Sequence, residues 1–265
     1  MGTVRKTRLI VPCYNEALRL NRKAFLSALE NSPDLYFLFV NDGSTDETSV
    51  LLSSMQEMNP LQIEILTMGN NSGKAEAVRR GMMMSLDGAF DDVGYWDADL
   101  ATPLAEIEGF SRLLDSAAVE MVIGSRVRLL GRRIERKALK HYLGRVFATC
   151  ASMLLEISVY DTQCGAKIFK NSKALRQVFG MPFKVNWTFD VEMLARFAIV
   201  RKVSPLEISS RWVEIPLVEW IDVIGSKVTL MDYIKGGFEF CTLLYYLHTP
   251  ARSGYARYLG GIEPV

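Results

Sequence analysis

"LYFLFVNDGSTDET", residues 35–48, decides the fold. Leu35 to Val40 form an apolar run of strand length and composition, and a polar cluster ends it. Within that cluster Ser44 and Glu47 make an S-x-x-E pattern, the signature of a helix N-terminus. The stretch reads as a strand, a short polar loop and a helix starting near Asp46. The same unit recurs on either side. Strands are expected at "RLIVPCY" (8–14), "LYFLFV" (35–40), "LQIEIL" (61–66), "GYW" (94–96) and "EMVIG" (120–124), with helices starting near Leu18, Asp46, Ser72 and Pro103. Strict alternation predicts a parallel sheet covered on both faces, a doubly wound α/β domain. In such sheets ligands lie beyond the carboxyl ends of the strands.

After residue 125 the alternation breaks. The expected elements are a long basic-to-apolar helix over about 134–157, a strand at "CGAKIFK" (164–170), a helix from near Phe189, a strand at "WVEIPLVEW" (212–220) and a final amphipathic helix over about 227–247. With no linker, repeat or low-complexity stretch, residues 1–265 read as one domain with a first half (1–125) and a mixed second half (126–265). A chain of 265 residues that is 49% hydrophobic can bury a full core, which excludes disorder.

The formal charge of +1 supplies no global field for nucleic acid, so any basic site is local. One such run holds Arg126, Arg128, Arg132, Arg133, Arg136, Lys137, Lys140 and Arg145, interrupted by Glu135 alone among acids. Four scattered cysteines without a CxxC pair, and only His141 and His248, argue against a zinc site or disulfide framework. Pro12 and Glu16 cut the first apolar run far short of a signal sequence, and Lys6 stands where a myristoylation start wants Ser or Thr. "VFATCASMLLEISVY" and "GGFEFCTLLYYLHTP" are interrupted by Glu156 and Glu239, so no stretch reaches the ~18 apolar residues of a spanning helix. The chain is expected to lie on a bilayer rather than cross one.

Each early strand ends in polar residues: Asn15 and Glu16, then Asn41 and Asp42, then Asp97 and Asp99 in "YWDADLATP" (95–103). The capping pattern accounts for Ser44 and Glu47, and a helix start with Pro at its first position accounts for Thr102 and Pro103. Asp42, Asp97 and Asp99 have no such explanation. If the strand continues through them, Asp97 and Asp99 point to one side, and their mutual repulsion calls for a cation between them. Mg²⁺ is commonly held by one or two carboxylates together with substrate phosphates. An isolated D-x-D reads first as a solvated turn, and its context reverses that reading. In "NNSGKAEAVRRGM", Gly73 and Lys74 open a helix beside the same edge and offer amides and an ammonium to an anion.

Taken together, "IVPCYNE", "VNDGSTDET", "NNSGKAEAVRRGM" and "DADLATP" resemble the inverting family 2 glycosyltransferases of the GT-A fold. "GSR" (124–126), "DTQCGAKIF" (161–169), "FDVEMLAR" (189–196) and "GSK" (225–227) resemble the dolichyl-phosphate glucosyltransferases and their bacterial polyprenyl-phosphate relatives, so the likeness runs from about Leu9 to Lys227. It implies that the first half binds a nucleotide-sugar and the second faces the acceptor. Pro12, Tyr14 and Glu16 would shape the nucleotide pocket, and Asp42 would accept from the base. Lys74 would lie near the ribose and diphosphate, Asp97 toward the ribose or sugar, and Asp99 would hold Mg²⁺ or Mn²⁺ on the diphosphate of UDP. Mannose-transferring relatives carry Gln two positions after the second Asp. Here that position is Ala101, which leaves a second side-chain metal ligand unsupported.

The acceptor decides the mechanism. A sugar hydroxyl needs a general base, for which Asp190 or Glu192 are the candidates. A phosphate monoester has its second pKa near ~6, is already an anionic nucleophile and needs cations to position it. Arg126, Arg132 and Arg136 suit that task, and the step from basic to apolar along the following helix suits a membrane surface. The final helix, with Phe238, Phe240, Leu243, Leu244, Tyr245 and Tyr246, is read as core. "SSRW" (209–212) lacks the Gln of the processive QxxRW signature, having Ile208 instead, and Cys164 has no neighbouring His and reads as packing. A nucleotidyltransferase would carry a Gly-rich loop where "PCYNE" has none. The expectation is an inverting, metal-dependent transfer of a hexose, glucose first, from UDP-sugar to polyprenyl phosphate at the cytoplasmic face of the membrane. Transfer to a glycan hydroxyl and a non-catalytic nucleotide-sugar binder are the alternatives.

Overall fold

The computed structural model describes residues 5–135, 138–222 and 230–260. Seven strands form one sheet: β1 (Thr7–Cys13), β2 (Leu35–Asp42), β3 (Ile63–Met68), β4 (Asp92–Trp96), β5 (Met121–Ser125), β7 (Ala166–Lys170) and β8 (Trp212–Pro216), in the spatial order β3-β2-β1-β4-β7-β5-β8. Two short strands, β6 (Arg133–Glu135) and β9 (Glu219–Ile221), pair in parallel as a second sheet. In the large sheet β7 alone runs antiparallel to its neighbours, while β1–β2, β1–β4, β2–β3 and β5–β8 are parallel. The doubly wound, mainly parallel architecture is therefore as expected. Strands from both halves of the chain share the one sheet, since β7 sits between β4 and β5.

Ten helices accompany the strands among the described residues. They are α1 (Arg22–Glu30), α2 (Thr48–Met58), α3 (Lys74–Leu86), α4 (Ile107–Leu114), α5 (Ala138–Leu155), α6 (Lys173–Gly180), α7 (Phe189–Arg201), α8 (Pro205–Arg211), α9 (Leu230–His248) and α10 (Ala251–Gly260). A strand buried on both faces reads as a continuous apolar run, and β1 does so because its neighbours lie on both sides. Leu9 and Val11 pack with Phe37 and Phe39 against α1, α2 and α4, while Ile10 packs with Leu38 and Val40 against α3 and the C-terminal helices. On the first face Phe25 meets the edges of Phe37 and Phe39, each with centroids 5.1 Å apart.

Several boundaries differ from the sequence reading for identifiable reasons. The capping box at Ser44 and Glu47 does not form: Ser44 Oγ instead accepts from the Asn15 amide at 3.0 Å, and α2 starts only at Thr48. Residues 14–20 stay a loop, and α1 starts at Arg22, where the Asn21 side chain accepts from the Ala24 amide at 3.1 Å. Pro103 precedes its helix rather than opening it, because its ψ of 146° is extended and a 3₁₀ turn, Leu104–Glu106, leads into α4. The residues expected to begin the long basic helix form β6, and the strand expected over 212–220 breaks after Pro216 into β8 and β9. Helices α6, α8 and α10 were not anticipated. "GSK" (225–227) and the first residues expected in the last helix lie outside the described residues.

Helix α9 is only half core. Leu243 and Leu247 are buried, whereas Phe238, Leu244 and Tyr245 are exposed, as are Tyr142, Val146 and Met153 on α5. No helix among the described residues is long and apolar enough to cross a membrane. The SSRW segment joins α8 to β8, and Arg211 pairs with Glu120 at 2.9 Å, at the end of β5 away from its carboxyl terminus.

Candidate active site

At the carboxyl edge of the sheet the loop after β1 is sewn to the loop after β2. The Asn15 carboxamide oxygen accepts from the Thr45 amide at 2.8 Å, the Glu16 amide donates to Thr48 Oγ1 at 2.8 Å, and the Ala17 amide donates to Asp46 at 3.2 Å. With the Asn15 amide on Ser44 Oγ, these bonds join the two loops. They fix Pro12, Tyr14 and Glu16 on one wall, with Pro12 and Tyr14 half-buried and Glu16 buried. Asp42, also buried, accepts from the Ser72 amide at 2.8 Å and the Gly73 amide at 2.8 Å, so it holds the start of α3. Gly73, at φ +89°, supplies the left-handed turn that aims Lys74 into the cleft. Lys74 Nζ reaches Asp97 Oδ1 at 2.5 Å. Burial opposes the Lys74 charge, but Asp97, Asp190 and Asp99 outweigh it and raise its pKa.

Asp97 and Asp99 are not consecutive alternating positions of a strand, because β4 ends at Trp96 and a turn follows. Leu100 takes a left-handed φ of 52°, the Trp96 indole donates to the Thr102 carbonyl at 2.8 Å, and the Ala101 amide donates to Asp99 Oδ1 at 3.1 Å. The turn nonetheless brings the carboxylates close enough to interact: burial first, and the charge of Asp97 second, push the Asp99 pKa up. Each carboxylate has its own cation, Lys74 for Asp97 and Arg19 for Asp99, with Arg19 Nη2 at 3.1 Å.

The third component arrives because β7 is antiparallel. The chain leaves the carboxyl end of β5 and re-enters the sheet at β7 from the same edge, which places residues 161–165 beside β4. The Asp97 amide donates to the Gly165 carbonyl at 3.0 Å, and a Cβ on Gly165 would lie 1.8 Å from Asp97 Oδ2. Asp161 clamps Arg126: Nε donates at 2.6 Å, Nη2 at 2.7 Å and the backbone amide at 3.1 Å. Burial works against the Arg126 charge, but Asp161 outweighs it and raises the pKa above the ordinary arginine value. The guanidinium also lies 5.4 Å from the centroid of Trp220 on β9. Cys164 is fully buried, and burial ahead of the nearby Asp161 charge pushes its thiol up to about 11, in keeping with a packing role.

The remaining expected residues are placed less favourably. Arg132 is exposed on the loop beyond β5, and Arg136 lies outside the described residues. Arg133 pairs with Glu135 and Glu219, and Arg145 lies over Tyr160, so part of the basic run serves local structure. Glu192 is fully buried, accepting from the Lys184 and Val185 amides at 2.7 and 3.0 Å, from Arg196, and from the Tyr255 hydroxyl at 2.6 Å; this corrects its reading as a general base. Asp190 is buried, with Lys167 Nζ at 2.5 Å and the Tyr95 hydroxyl also on Oδ1, and its charge reaches Lys74. Arg19, Asp161, Gly165 and Trp220 were not singled out, although "YNEALRL" and "DTQCGAKIF" contain the first three.

No group of three His, Cys, Asp or Glu side chains gathers as a metal cage among the described residues. Two carboxylates at one edge are hard oxygen donors, and they fit a cation shared with a diphosphate better than a fully protein-bound one.

An open sheet with acidic and cationic side chains facing each other beyond its carboxyl ends is the architecture of the GT-A glycosyltransferases. The chain belongs to glycosyl transferase family 2, whose sequence profile matches residues 9–178. The dolichyl-phosphate beta-glucosyltransferase of Trichomonas vaginalis is 30% identical over 253 residues, covering 91% of this chain and 71% of that protein. The human dolichyl-phosphate beta-glucosyltransferase is 30% identical over 253 residues, covering 87% of this chain and 76% of its own. Among solved structures, glucosyl-3-phosphoglycerate synthase from Mycobacterium tuberculosis, in complex with Mn²⁺, UDP and glucosyl-3-phosphoglycerate, matches with a TM-score of 0.63 at 16% identity. That match covers 93% of this chain and 81% of that one, a likeness of fold.

Proposed function

We propose that this glycosyltransferase moves a hexose, glucose first, from a UDP-sugar to the phosphate of a polyprenyl, dolichyl-like lipid, with inversion at C1. The names of its relatives at 30% identity support the acceptor and the sugar. The observation that carries the reading is the state of the two candidate bases. Asp190 is buried and ion-paired with Lys167, and Glu192 is sealed beneath Arg196 and Tyr255. An acceptor hydroxyl would lack a base there, whereas a phosphate monoester is ionised at neutral pH and attacks without one.

In this reading Pro12, Tyr14 and Glu16 form the nucleotide wall, and Asp42 takes a donor from the base with the lone pairs that the Ser72 and Gly73 amides leave. Lys74 draws the diphosphate to the start of α3, and Asp97 orients the ribose or sugar. A divalent cation, Mg²⁺ or Mn²⁺, bound by Asp99 and the diphosphate would supply Lewis-acid neutralisation of the leaving UDP. Arg126, held in plane by Asp161, receives the lipid phosphate together with Arg132 and Arg136. The exposed apolar side chains of α5 and α9 rest on the cytoplasmic membrane surface, where the acceptor is found.

The test is an incubation with labelled UDP-glucose, other UDP-sugars and GDP-mannose, with polyprenyl phosphate and Mg²⁺ or Mn²⁺. Label from UDP-glucose passing into the organic phase is the expected outcome. Label confined to a water-soluble glycan, or no transfer, would overturn the proposal.

A further inference from the structure

The loop after β1 carries a cation that belongs to no recognised motif. Arg19 lies between two carboxylates, with Nε 3.2 Å from Glu16 Oε2 and Nη2 donating to Asp99 Oδ2 at 3.1 Å. The arm that presents it is rigid: the Arg19 and Leu20 amides both donate to the Glu16 carbonyl at 2.9 Å, and the Glu16 amide is tied to Thr48. Asp99 Oδ1 is meanwhile turned to the Ala101 amide. Oδ2 is thus the oxygen that Arg19 and any metal ion must share, and two cations at one carboxylate oxygen repel.

We propose that Arg19 is a positioning residue that holds Asp99 in the donor-free enzyme and gives up Oδ2 to the metal only when a nucleoside diphosphate binds. The incoming diphosphate offers the guanidinium a bidentate anionic partner within reach of the same loop, so the exchange leaves no charge unpaired. Metal and nucleotide then bind cooperatively, and by linkage each raises the affinity for the other by the same factor. This inference rests on the reading of Asp99 as the metal ligand.

The experiment measures Mn²⁺ binding by the paramagnetic resonance signal of free Mn²⁺, without and with UDP, for the unaltered chain, Arg19→Gln, Arg19→Lys and Asp99→Asn. UDP binding is followed in parallel by calorimetry. Arg19→Gln is expected to bind Mn²⁺ alone about tenfold more tightly than the unaltered chain and to lose most of the enhancement by UDP, a change within the usual range of coupling factors. Arg19→Lys keeps the charge but not the fork, so it should restore weak binding of Mn²⁺ alone without restoring UDP affinity. Equal Mn²⁺ affinity in the unaltered chain and in both Arg19 variants, abolished in Asp99→Asn, would overturn the role of Arg19 and leave the metal ligand standing. Mn²⁺ binding undiminished in Asp99→Asn would overturn both.

Discussion

Gly165 controls the D-x-D motif from outside it. Its missing side chain lets the Asp97 carboxylate lie against the backbone of residues 164–166, with any Cβ held 2.1 Å from Asp97 Cγ. In Gly165→Ala the carboxylate must swing away and lose Lys74, while the backbone bond between Asp97 and Gly165 can persist. A displacement of about 1 Å in a reacting site costs on the order of 100-fold, so kcat/KM should fall by about that much with the thermal midpoint nearly unchanged. Steady-state kinetics and a melting curve on one preparation check both halves; a large drop in midpoint with proportionate loss of activity would show instead that Gly165 matters for folding. The two aspartates were legible because they follow the end of an apolar strand. Gly165 was not, since nothing local in "TQCGA" says which side chain will press on it.

Among elements, α9 shows how a feature read one way in the chain acts another way in space. Glu239 counted in the sequence only as a charge interrupting an apolar stretch. Folded, its Oε1 accepts from the Asn186 and Trp187 amides at 3.0 and 3.2 Å, and its Oε2 accepts from the Thr188 amide and hydroxyl, each at 2.8 Å. The N-terminus of α7 has no side-chain cap of its own at Thr188, so a carboxylate from another helix takes that part. Glu239→Ala leaves those amides without their acceptor, and chemical denaturation should show a loss of about 1–3 kcal/mol. No sequence pattern announces a cap donated from some 50 residues away along the chain, as the pairing of Asn186 with Glu239 is.

Across the molecule the core is joined by a buried charge pair. Lys167 of β7 and Asp190 of α7 are almost wholly enclosed, and the Lys167 ammonium also donates to the Cys164 carbonyl at 2.6 Å. Burial first, and the Asp190 charge second, hold the Tyr95 hydroxyl well above its ordinary pKa, so it stays a donor to Asp190. Removing one partner of such a pair strands the other: Asp190→Ala should cost about 3–5 kcal/mol, seen as a lower denaturant midpoint. Replacing both charges, Asp190→Leu with Lys167→Met, should recover most of that loss. A single variant as stable as the parent would refute the structural account of Asp190.

The alternation of strands and helices, the sheet edge that carries the site and the positions of Asp42, Lys74, Asp97 and Asp99 along that edge were set by the sequence alone. Hydrophobic period, glycine placement and polar strand ends are properties of neighbouring residues, and they survive reading one segment at a time. The reversed direction of β7, the hold of Asp161 on Arg126 across 35 residues and the hold of Arg19 on Asp99 across 80 were decided only by the tertiary structure. Charge pairing is blind to chain order: which cation meets which carboxylate depends on where the packed sheet brings them.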